Sequence, residues 1–475
     1  MAEWMEEITV SQLQKKLESG ERTSYELVLD YMRRVALIDK SGPNLNSFFE
    51  WNPECVYIAQ AMDRERKHGK VRSMLHGIPV VLKANINTKD MMRTPAGSIA
   101  LSDNFAPYDA FLVKKLRDAG AVIIGKTNMT ELAGSVSRNM EKRYSSLGGD
   151  VKNPYVSDGD VWGSSNGSAV AVSANLCMLA VGTETNGSII RPSHRMGIVG
   201  IKPTVGLVSR YGVMPICVSQ DTAGPMARTV GDAAILLNVL AGEDADDPST
   251  WELQDERVQD YTVFCRKDGL RGLRIGVNRG YYEDFTEEQI QIAEKAYQVM
   301  EQEGAFVMET NQPHLKCDDN VFLYEYRKCM DWYLSTMHET KCRTMLDMLN
   351  YYAEHPENGW KYGMDYITDA LFKTNGTCTE SVYLLDKLEA MRRSQKDGID
   401  KLLDENNLDV LVCPGVTDLS PISGYPSVIV PAGYDKTGMP FGVTFVGRAF
   451  SEPLLIKAAY AFEQCTKARR APVFS

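Results

Sequence analysis

Histidine and cysteine are sparse in this sequence and nowhere grouped. Its 475 residues include six histidines and ten cysteines. No Cys-x-x-Cys pair and no Cys/His cluster at zinc spacing occurs, so the spacing indicates neither a zinc site nor a histidine-based catalytic triad. Cysteines dispersed singly are typical of free thiols in a reducing compartment. We therefore expect a cytoplasmic protein.

Positive charge and long apolar runs are also scarce. The formal net charge is -11, and the absence of a basic stripe argues against a nucleic-acid partner. No apolar run approaches the length of a bilayer span. The start, MAEWMEEITVSQLQKKL, is acidic and amphipathic, unlike the basic and then apolar pattern of a signal peptide. The sequence therefore predicts a soluble protein without a membrane partner.

The sequence does contain regular alternation of helical and strand patterns. Residues 8–19 and 24–38 have apolar positions at helical spacing, with Thr9 and Thr23 as expected N-caps. The β-branched run GIPVVLKANI predicts a buried strand. Further predicted helices cover 54–68, 109–119, 168–176, 229–242 and 452–470, and further predicted strands cover 121–128 and 177–182, with three more between 409 and 448. Strands alternating with helices indicate an α/β fold.

The chain is expected to form one large domain over residues 1–475. It shows no repeat, low-complexity segment or long linker, and 44% hydrophobic residues with 24% charged residues is ordinary globular composition. Within the domain we expect an N-terminal helical layer (1–70), a core with the candidate site (71–245), a charged helical insert beside the substrate site (285–400) and C-terminal strands with a helix (401–475).

Lys83 lies inside the otherwise apolar strand GIPVVLKANI. Such a lysine is most often at a sheet edge or extends its amine to solvent along an apolar stem, and position alone favours that interpretation. In a central strand the same side chain would be desolvated, and its pKa would fall toward neutrality. A neutral amine is a competent general base for a hydroxyl.

GSSNGS, residues 163–168, places Ser164 and Ser165 before a predicted helix. Taken alone, the loop is best interpreted as a polar turn in which one of the two serines caps the helix. Phosphate binding at this helix start is disfavoured, because the lysine of a GxxxxGK[ST] motif is missing.

TETNGS, residues 183–188, interrupts an apolar stretch. It could be a polar turn in which Gly187 adopts a positive φ. Alternatively, the successive amides from Thr185 to Ser188 could form a nest that binds an oxyanion. The residues of this loop leave both alternatives open.

The ordered set of motifs resembles the amidase signature family, serine hydrolases that use a Ser–cis-Ser–Lys triad. Within this family, the sequence is most similar to the bacterial peptide-amidase branch. The resemblance extends over nearly the whole chain. It implies an α/β fold with a central twisted mixed β-sheet covered by helices on both faces. The motifs that carry it are HGIPVVLKANI, DAFLVKKLRDAGAVIIGKTNMTELA, GSSNGSAVAVSANL, VGTETNGSI, GIVGIKPTVGLVSRYGV, SQDTAGPMARTVGDAAILLNVLAG and GYPSVIVPAGYDKTGMPFGVTFVGR.

By motif position, the resemblance implies that Ser188 is the nucleophile, Ser164 the bridging serine after a cis peptide, and Lys83 the general base. The implied reaction is hydrolysis of an amide through a Ser188 acyl-enzyme, without metal or cofactor. The expected oxyanion-hole amides are those of Thr185, Asn186, Gly187 and Ser188. The expected substrate contacts are Gly134, Trp162 and Arg191.

Several residues depart from the family pattern near these positions. Ala84 stands where an aspartate usually follows the lysine, and Trp162 stands where the family has a small residue. Arg191 is displaced by one residue from the usual order, and His194 and Arg195 fill positions that are normally small. They could be neutral changes and surface charges. They could also reshape the pocket, with Trp162 restricting the acyl side and an arginine meeting an acidic substrate group, or they could impair activity.

Two other functions remain as alternatives. One is the A-type chain of glutamyl-tRNA(Gln) amidotransferase, which shares the implied fold and needs partner chains. The other is a catalytically impaired binding homologue. The expected partner of an active enzyme is a small-molecule or peptide amide, with no nucleic acid and no membrane, and a homodimer remains open.

Overall fold

One mixed sheet of eleven strands organises the chain. The computed structural model describes residues 3–254, 258–311, 315 and 319–474. In the sheet the strands follow the order β1-β3-β2-β4-β6-β5-β10-β11-β9-β7-β8. Their bounds are Phe48–Trp51 (β1), Pro79–Lys83 (β2), Val122–Thr127 (β3), Leu179–Glu184 (β4), Val199–Lys202 (β5), Thr222–Ala227 (β6), Arg274–Val277 (β7), Phe306–Glu309 (β8), Val410–Pro414 (β9), Ser427–Tyr434 (β10) and Pro440–Val446 (β11).

Helices cover this sheet, so the predicted α/β fold is confirmed. Strands β2, β3 and β4 run parallel to one another, as do β7, β8 and β9, and antiparallel pairs join the remaining strands. The helices are Val10–Glu18 (α1), Ser24–Arg34 (α2), Cys55–Lys67 (α3), Phe111–Asp118 (α4), Asn166–Ser173 (α5), Ile190–Arg195 (α6), Val230–Leu240 (α7), Glu287–Gln302 (α8), Asp319–Thr336 (α9), Met345–Glu354 (α10), Pro356–Gly359 (α11), Asp365–Phe372 (α12), Ser381–Ser394 (α13), Lys401–Glu405 (α14), Leu419–Ser423 (α15) and Glu452–Thr466 (α16).

Local sequence signals place the first two helices as predicted. Thr9 and Thr23 are the N-caps of α1 and α2, and each hydroxyl accepts a hydrogen bond from the backbone three residues on. Gln12 and Glu26 return the bond to the cap residue's own N–H, which completes a capping box at both helices. The predicted helix after Thr23 continues beyond Arg34 as a π-helical turn to Asp39.

Strands with weak local signals were not predicted. They are β1, β5, β6, β7 and β8. The β6 segment TAGPMA contains glycine and proline, which are depleted in strands. It is nevertheless a wholly buried strand, because it pairs with β4 on one side and β5 on the other. Pairing with distant segments therefore overrides local propensity here.

Small residues let α5 lie very close to the sheet. Every residue of α5 is buried. A Cβ atom built on Gly167 would lie 2.2 Å from the carbonyl oxygen of Asn128 and 2.5 Å from that of Ser47. Glycine is therefore required at this close approach. This packing fixes the segment immediately before α5, which carries Ser164.

A second hydrophobic cluster joins the helices from α9 to α13 to the sheet. Tyrosines and methionines of these helices, such as Tyr326, Tyr352 and Met345, pack in one cluster with Ala84 and Ile216. Residues 285–309 do not belong to this group of helices. They contain α8, which contacts β10 and β11, and the strand β8, which pairs with β7. Of the helices from α9 to α13, α9 contributes Phe322 and α12 contributes Tyr366 to the wall of the candidate site.

Across the described ranges, no helix combines the length and apolar character needed to cross a bilayer.

Candidate active site

Lys83 is the last residue of β2, in the interior of the sheet between β3 and β4. Its side chain is fully buried. The Nζ atom lies 2.7 Å from Ser164 Oγ, 2.8 Å from Thr183 Oγ1 and 3.1 Å from the Thr183 carbonyl oxygen. The expectation of an edge or solvent-reaching lysine, drawn from position alone, is therefore wrong, because strand order places β2 centrally.

Burial lowers the pKa of Lys83 to about 7, although the carboxylates of Glu184 and Asp221 oppose the shift. Desolvation disfavours the ammonium form, and no carboxylate among the described residues forms an ion pair with Lys83 that would compensate for it. Lys83 can therefore be a neutral amine near pH 7, and its 2.7 Å contact with Ser164 Oγ can carry a proton in either direction.

Ser164 follows a cis peptide bond with Gly163. A Cβ atom on Gly163 would lie 2.1 Å from Thr130 Oγ1, so the site requires glycine. Ser165 occupies the N-cap position of α5, but its side chain makes no capping bond. Its hydroxyl donates instead to the Thr183 carbonyl oxygen at 3.1 Å, so the predicted role of a serine as a helix cap is wrong here.

The loop after β4 presents its amides at the same place. Gly187 has a φ of +76°, and a Cβ atom there would lie 2.3 Å from Arg191 Nε. The Ser165 N–H donates to the Ser188 carbonyl oxygen at 3.2 Å, which ties the two serine loops together. Within the described part of the chain, the four amides from Thr185 to Ser188 donate to no protein acceptor. They remain available to an oxyanion.

Two buried carboxylates hold this loop from both ends. Glu184 Oε2 accepts the N–H groups of Ile189 at 2.7 Å and Ile190 at 3.0 Å, at the start of α6. Asp221 Oδ1 accepts the Thr185 hydroxyl at 2.5 Å, and its other oxygen accepts the Ile216 N–H at 2.7 Å. Burial raises the pKa of Asp221 to about 6.

The two serines open onto a common cavity of about 200 Å³. Lys83 lies behind Ser164 and is not part of the cavity wall. The other predicted site residues on this wall are Gly134, Trp162, Thr185, Asn186 and Arg191. The structure thus brings together the nucleophile candidate, the bridging serine and the three expected substrate contacts, which are distant in sequence.

Trp162 and the arginines near it form a connected cluster. The Arg191 guanidinium lies 5.1 Å and that of Arg195 5.6 Å from the centre of the Trp162 ring, within cation–π distance. Arg191 also forms an ion pair with Asp418 at 2.6 Å. Trp162 and Arg191 separate the catalytic cavity from a neighbouring cavity of about 370 Å³. Arg191 is therefore part of the pocket wall and not a free surface charge.

His194 lies in the neighbouring cavity's wall and is buried. Burial, with a smaller contribution from the Arg195 charge, lowers its pKa to about 3. Its Nδ1 accepts the Gly442 N–H at 3.1 Å, so the neutral ring carries its proton on Nε2. The surface-charge interpretation of His194 is therefore wrong. Ala84 is buried in the second hydrophobic cluster.

Three residues of the site were not singled out from the sequence. Thr183 accepts from Lys83 with both its hydroxyl and its carbonyl oxygen, and Asn85 Nδ2 also donates to that hydroxyl at 3.1 Å. Asp221 anchors Thr185. Thr183 and Asp221 lie within the motifs TETNGS and SQDTAGP, but their contacts depend on strand pairing that a sequence pattern does not display.

A buried base, a bridging hydroxyl and a second hydroxyl beside unbonded amides form an arrangement typical of nucleophilic hydrolases. A family model described as Amidase matches residues 26–423. The chain therefore belongs to the amidase family, and the resemblance inferred from the motifs is confirmed.

Individual relatives agree with this assignment. The native peptide amidase of Stenotrophomonas maltophilia is 40% identical in sequence, with a TM-score of 0.95 and 99% of each chain covered. A probable amidase of Arabidopsis thaliana is 36% identical, with 99% of this chain and 92% of the relative covered. The A-type chain of the glutamyl-tRNA(Gln) amidotransferase of Nitrosococcus oceani is 33% identical, with 96% of this chain and 97% of the relative covered.

Proposed function

We propose that the protein is an amidase that hydrolyses the C–N bond of a small or peptide-like amide. The observation that carries this proposal is the 2.7 Å contact between a buried lysine with a pKa of about 7 and Ser164, beside Ser188 in one cavity. Membership of the amidase family and the similarity to a peptide amidase support it.

In the proposed reaction, Ser188 Oγ attacks the amide carbonyl carbon. Its proton passes to Ser164 Oγ, and the Ser164 proton passes to neutral Lys83. The amides from Thr185 to Ser188 stabilise the negative charge that develops on the carbonyl oxygen. The proton then returns from Lys83 through Ser164 to the leaving nitrogen, and the C–N bond breaks.

Water completes the proposed cycle. It attacks the Ser188 acyl ester while its proton passes through Ser164 to Lys83, and the proton then returns through Ser164 to Ser188 Oγ as the ester C–O bond breaks. The products are the carboxylic acid and free Ser188. The sequence expectation that no metal or cofactor takes part remains a prediction.

All residues of the proposed mechanism belong to this chain, and we propose that the activity needs no partner chain. We propose a cytoplasmic location, supported by the cysteines being dispersed singly along the sequence. A homodimer remains a prediction, which light scattering on the purified protein would check. Nucleic acid and membrane are not part of the proposal.

Ammonia release tests the proposed function. We expect the purified protein alone to release ammonia from peptide amides or small primary amides at a rate well above that of buffer. Free glutamine, assayed with no other protein present, serves as the comparison. Activity on glutamine that appears only with added partner chains would favour the amidotransferase alternative. Failure of Ser188 to react with a fluorophosphonate would favour the impaired homologue.

Trp162 is proposed to border the leaving-group side of the substrate. It directly precedes Gly163 and Ser164, and Ser164 must lie near the departing nitrogen to return a proton to it. This assignment differs from the sequence hypothesis that Trp162 restricts the acyl side. Arg191, which contacts both the cavity and the Trp162 ring, is proposed to contact the same part of the substrate.

A substitution at Trp162 tests this placement. Trp162 has a φ of +49°, a conformation that glycine adopts without strain. In Trp162→Gly, loss of the ring joins two cavities, so kcat/KM for bulky N-substituted amides should rise about 10-fold relative to primary amides. Trp162→Phe, which keeps an aromatic wall, should retain the wild-type ratio. An unchanged ratio in Trp162→Gly would contradict the placement.

A further inference from the structure

A third cavity, of about 340 Å³, adjoins the catalytic cavity on the side away from Trp162. Ala133, Thr185 and Ile216 line both cavities. Its size falls within the range of small-molecule binding pockets. The wall beyond Ile216 is dominated by apolar side chains, including Val213, Met214, Pro215 and Val218.

Helix α9 supplies the outer rim of this cavity. Lys328 and Cys329 lie four and three residues before Trp332 on the helix, and all three line the cavity. Trp332 is 55% exposed. An exposed indole at the entrance of an apolar cavity is typical of a ligand contact, because tryptophan supplies a large apolar area with little loss of conformational entropy.

The rim and the Ile216 loop are tied together by a buried carboxylate. Glu325, on α9, accepts the Ser219 N–H at 2.9 Å and the Cys217 thiol at 3.1 Å. Lys387, on α13, donates to the other oxygen of Glu325 at 2.7 Å. These hydrogen bonds hold the helix that carries Trp332 at a fixed distance from the loop that carries Ile216. The cavity between them is therefore a defined part of the fold.

The proposed mechanism determines on which side of the scissile bond the cavity lies. The carbonyl oxygen points to the amides of Thr185 to Ser188, and the leaving nitrogen must face Ser164 to receive a proton. The acyl substituent then points away from Ser164 and Trp162. Of the two cavities that adjoin the catalytic one, only the cavity beyond Ile216 lies on that side within the described part of the chain.

We propose that the cavity beyond Ile216 binds the acyl group of the substrate, and that the preferred substrates are amides of apolar acids with an aliphatic or aryl-alkyl chain. This inference rests on the proposed function, because it uses the direction of proton return from Ser164. The rim residues Lys328 and Asp246 are polar and exposed, so a polar group at the far end of the chain would remain near solvent.

A homologous series of primary amides from propionamide to octanamide tests the subsite in the wild-type protein. Each methylene buried in the cavity should raise kcat/KM about 4-fold, which corresponds to about 0.8 kcal/mol per methylene. A series in which kcat/KM does not rise with chain length would overturn the subsite while amide hydrolysis stands. If no amide in the series or among the peptide amides is hydrolysed in a Ser188-dependent way, the proposed function fails, and the subsite with it.

Three variants test whether the effect of chain length arises in this cavity. Trp332→Ala should lower kcat/KM about 5-fold or more for octanamide, mainly through KM, and less than 2-fold for propionamide. Trp360→Ala removes another partly exposed tryptophan that lines none of the three cavities and should leave the series unchanged. Ile216→Ala widens the opening between the catalytic cavity and this cavity, and it should raise the ratio of kcat/KM for octanamide to kcat/KM for propionamide. Equal losses on both amides in Trp332→Ala would contradict the proposal.

Discussion

Ser188→Ala should lower kcat for amide hydrolysis by about 10⁵-fold, because removal of an attacking hydroxyl from a hydrolase leaves only the contribution of binding and oxyanion stabilisation. The substitution removes one oxygen from a cavity wall, so we expect the unfolding transition to be nearly unchanged. Initial rates of ammonia release and a thermal unfolding curve measure the two effects.

Ser193→Ala is the matched control for this variant. Ser193 is also buried and lies five residues further along, in α6, but its hydroxyl makes no hydrogen bond within the described structure. It lines none of the three cavities. We expect wild-type activity from Ser193→Ala. A Ser188→Ala protein that retains wild-type rates would remove Ser188 from the mechanism.

Lys83→Met should lower kcat by about 10³-fold, within the usual range for loss of a general base. In the wild-type protein, kcat/KM should rise with pH and level off above an inflection near pH 7, because only the neutral amine accepts the Ser164 proton and the pKa of Lys83 is about 7. Residual activity of Lys83→Met should lack this inflection. A pH–rate profile of both proteins between pH 5.5 and pH 9 makes the comparison.

Lys126→Met is the control, because Lys126 is an equally buried lysine on the neighbouring strand β3. Burial also lowers the pKa of Lys126 to about 7. Its Nζ atom, however, donates to the Ile86 carbonyl oxygen and to Thr94 Oγ1, and not to Ser164. We expect Lys126→Met to lose stability but to keep the inflection near pH 7. Loss of the inflection in Lys126→Met would show that the inflection comes from Lys126 and not from Lys83.

The lowered pKa of Lys83 also has a consequence for stability. The unfolded chain holds the Lys83 proton up to about pH 10.4, whereas the folded protein releases it near pH 7. Between these values the unfolded state binds more protons, so this residue's contribution to stability becomes more favourable as pH rises. From pH 7 to pH 10, the free energy of unfolding of the wild type should therefore increase relative to that of Lys83→Met. Urea unfolding of both proteins measures this difference.

Part of the site was predictable because the relevant residues lie in short motifs. Ser164 and Ser188 each follow a glycine in a loop next to an apolar element, and Gly187 adopts the positive φ that its loop requires. The roles assigned to these residues came from the resemblance of the ordered motifs to a family, since each loop alone also fits a polar turn. Asp221 and Thr183 could not be assigned, because their contacts join strands and loops far apart in the chain.

The sequence by itself determined the type of most helices and strands, the caps at Thr9 and Thr23, and the family to which the motifs belong. The caps and the element types depend on neighbours a few residues away, whereas the family is recognised from the order of the motifs along nearly the whole chain. Only the tertiary structure decided that Lys83 is central and desolvated, because its environment is set by the order of strands β3, β2 and β4. The same holds for the cavities beyond Trp162 and Ile216, whose walls are assembled from distant segments.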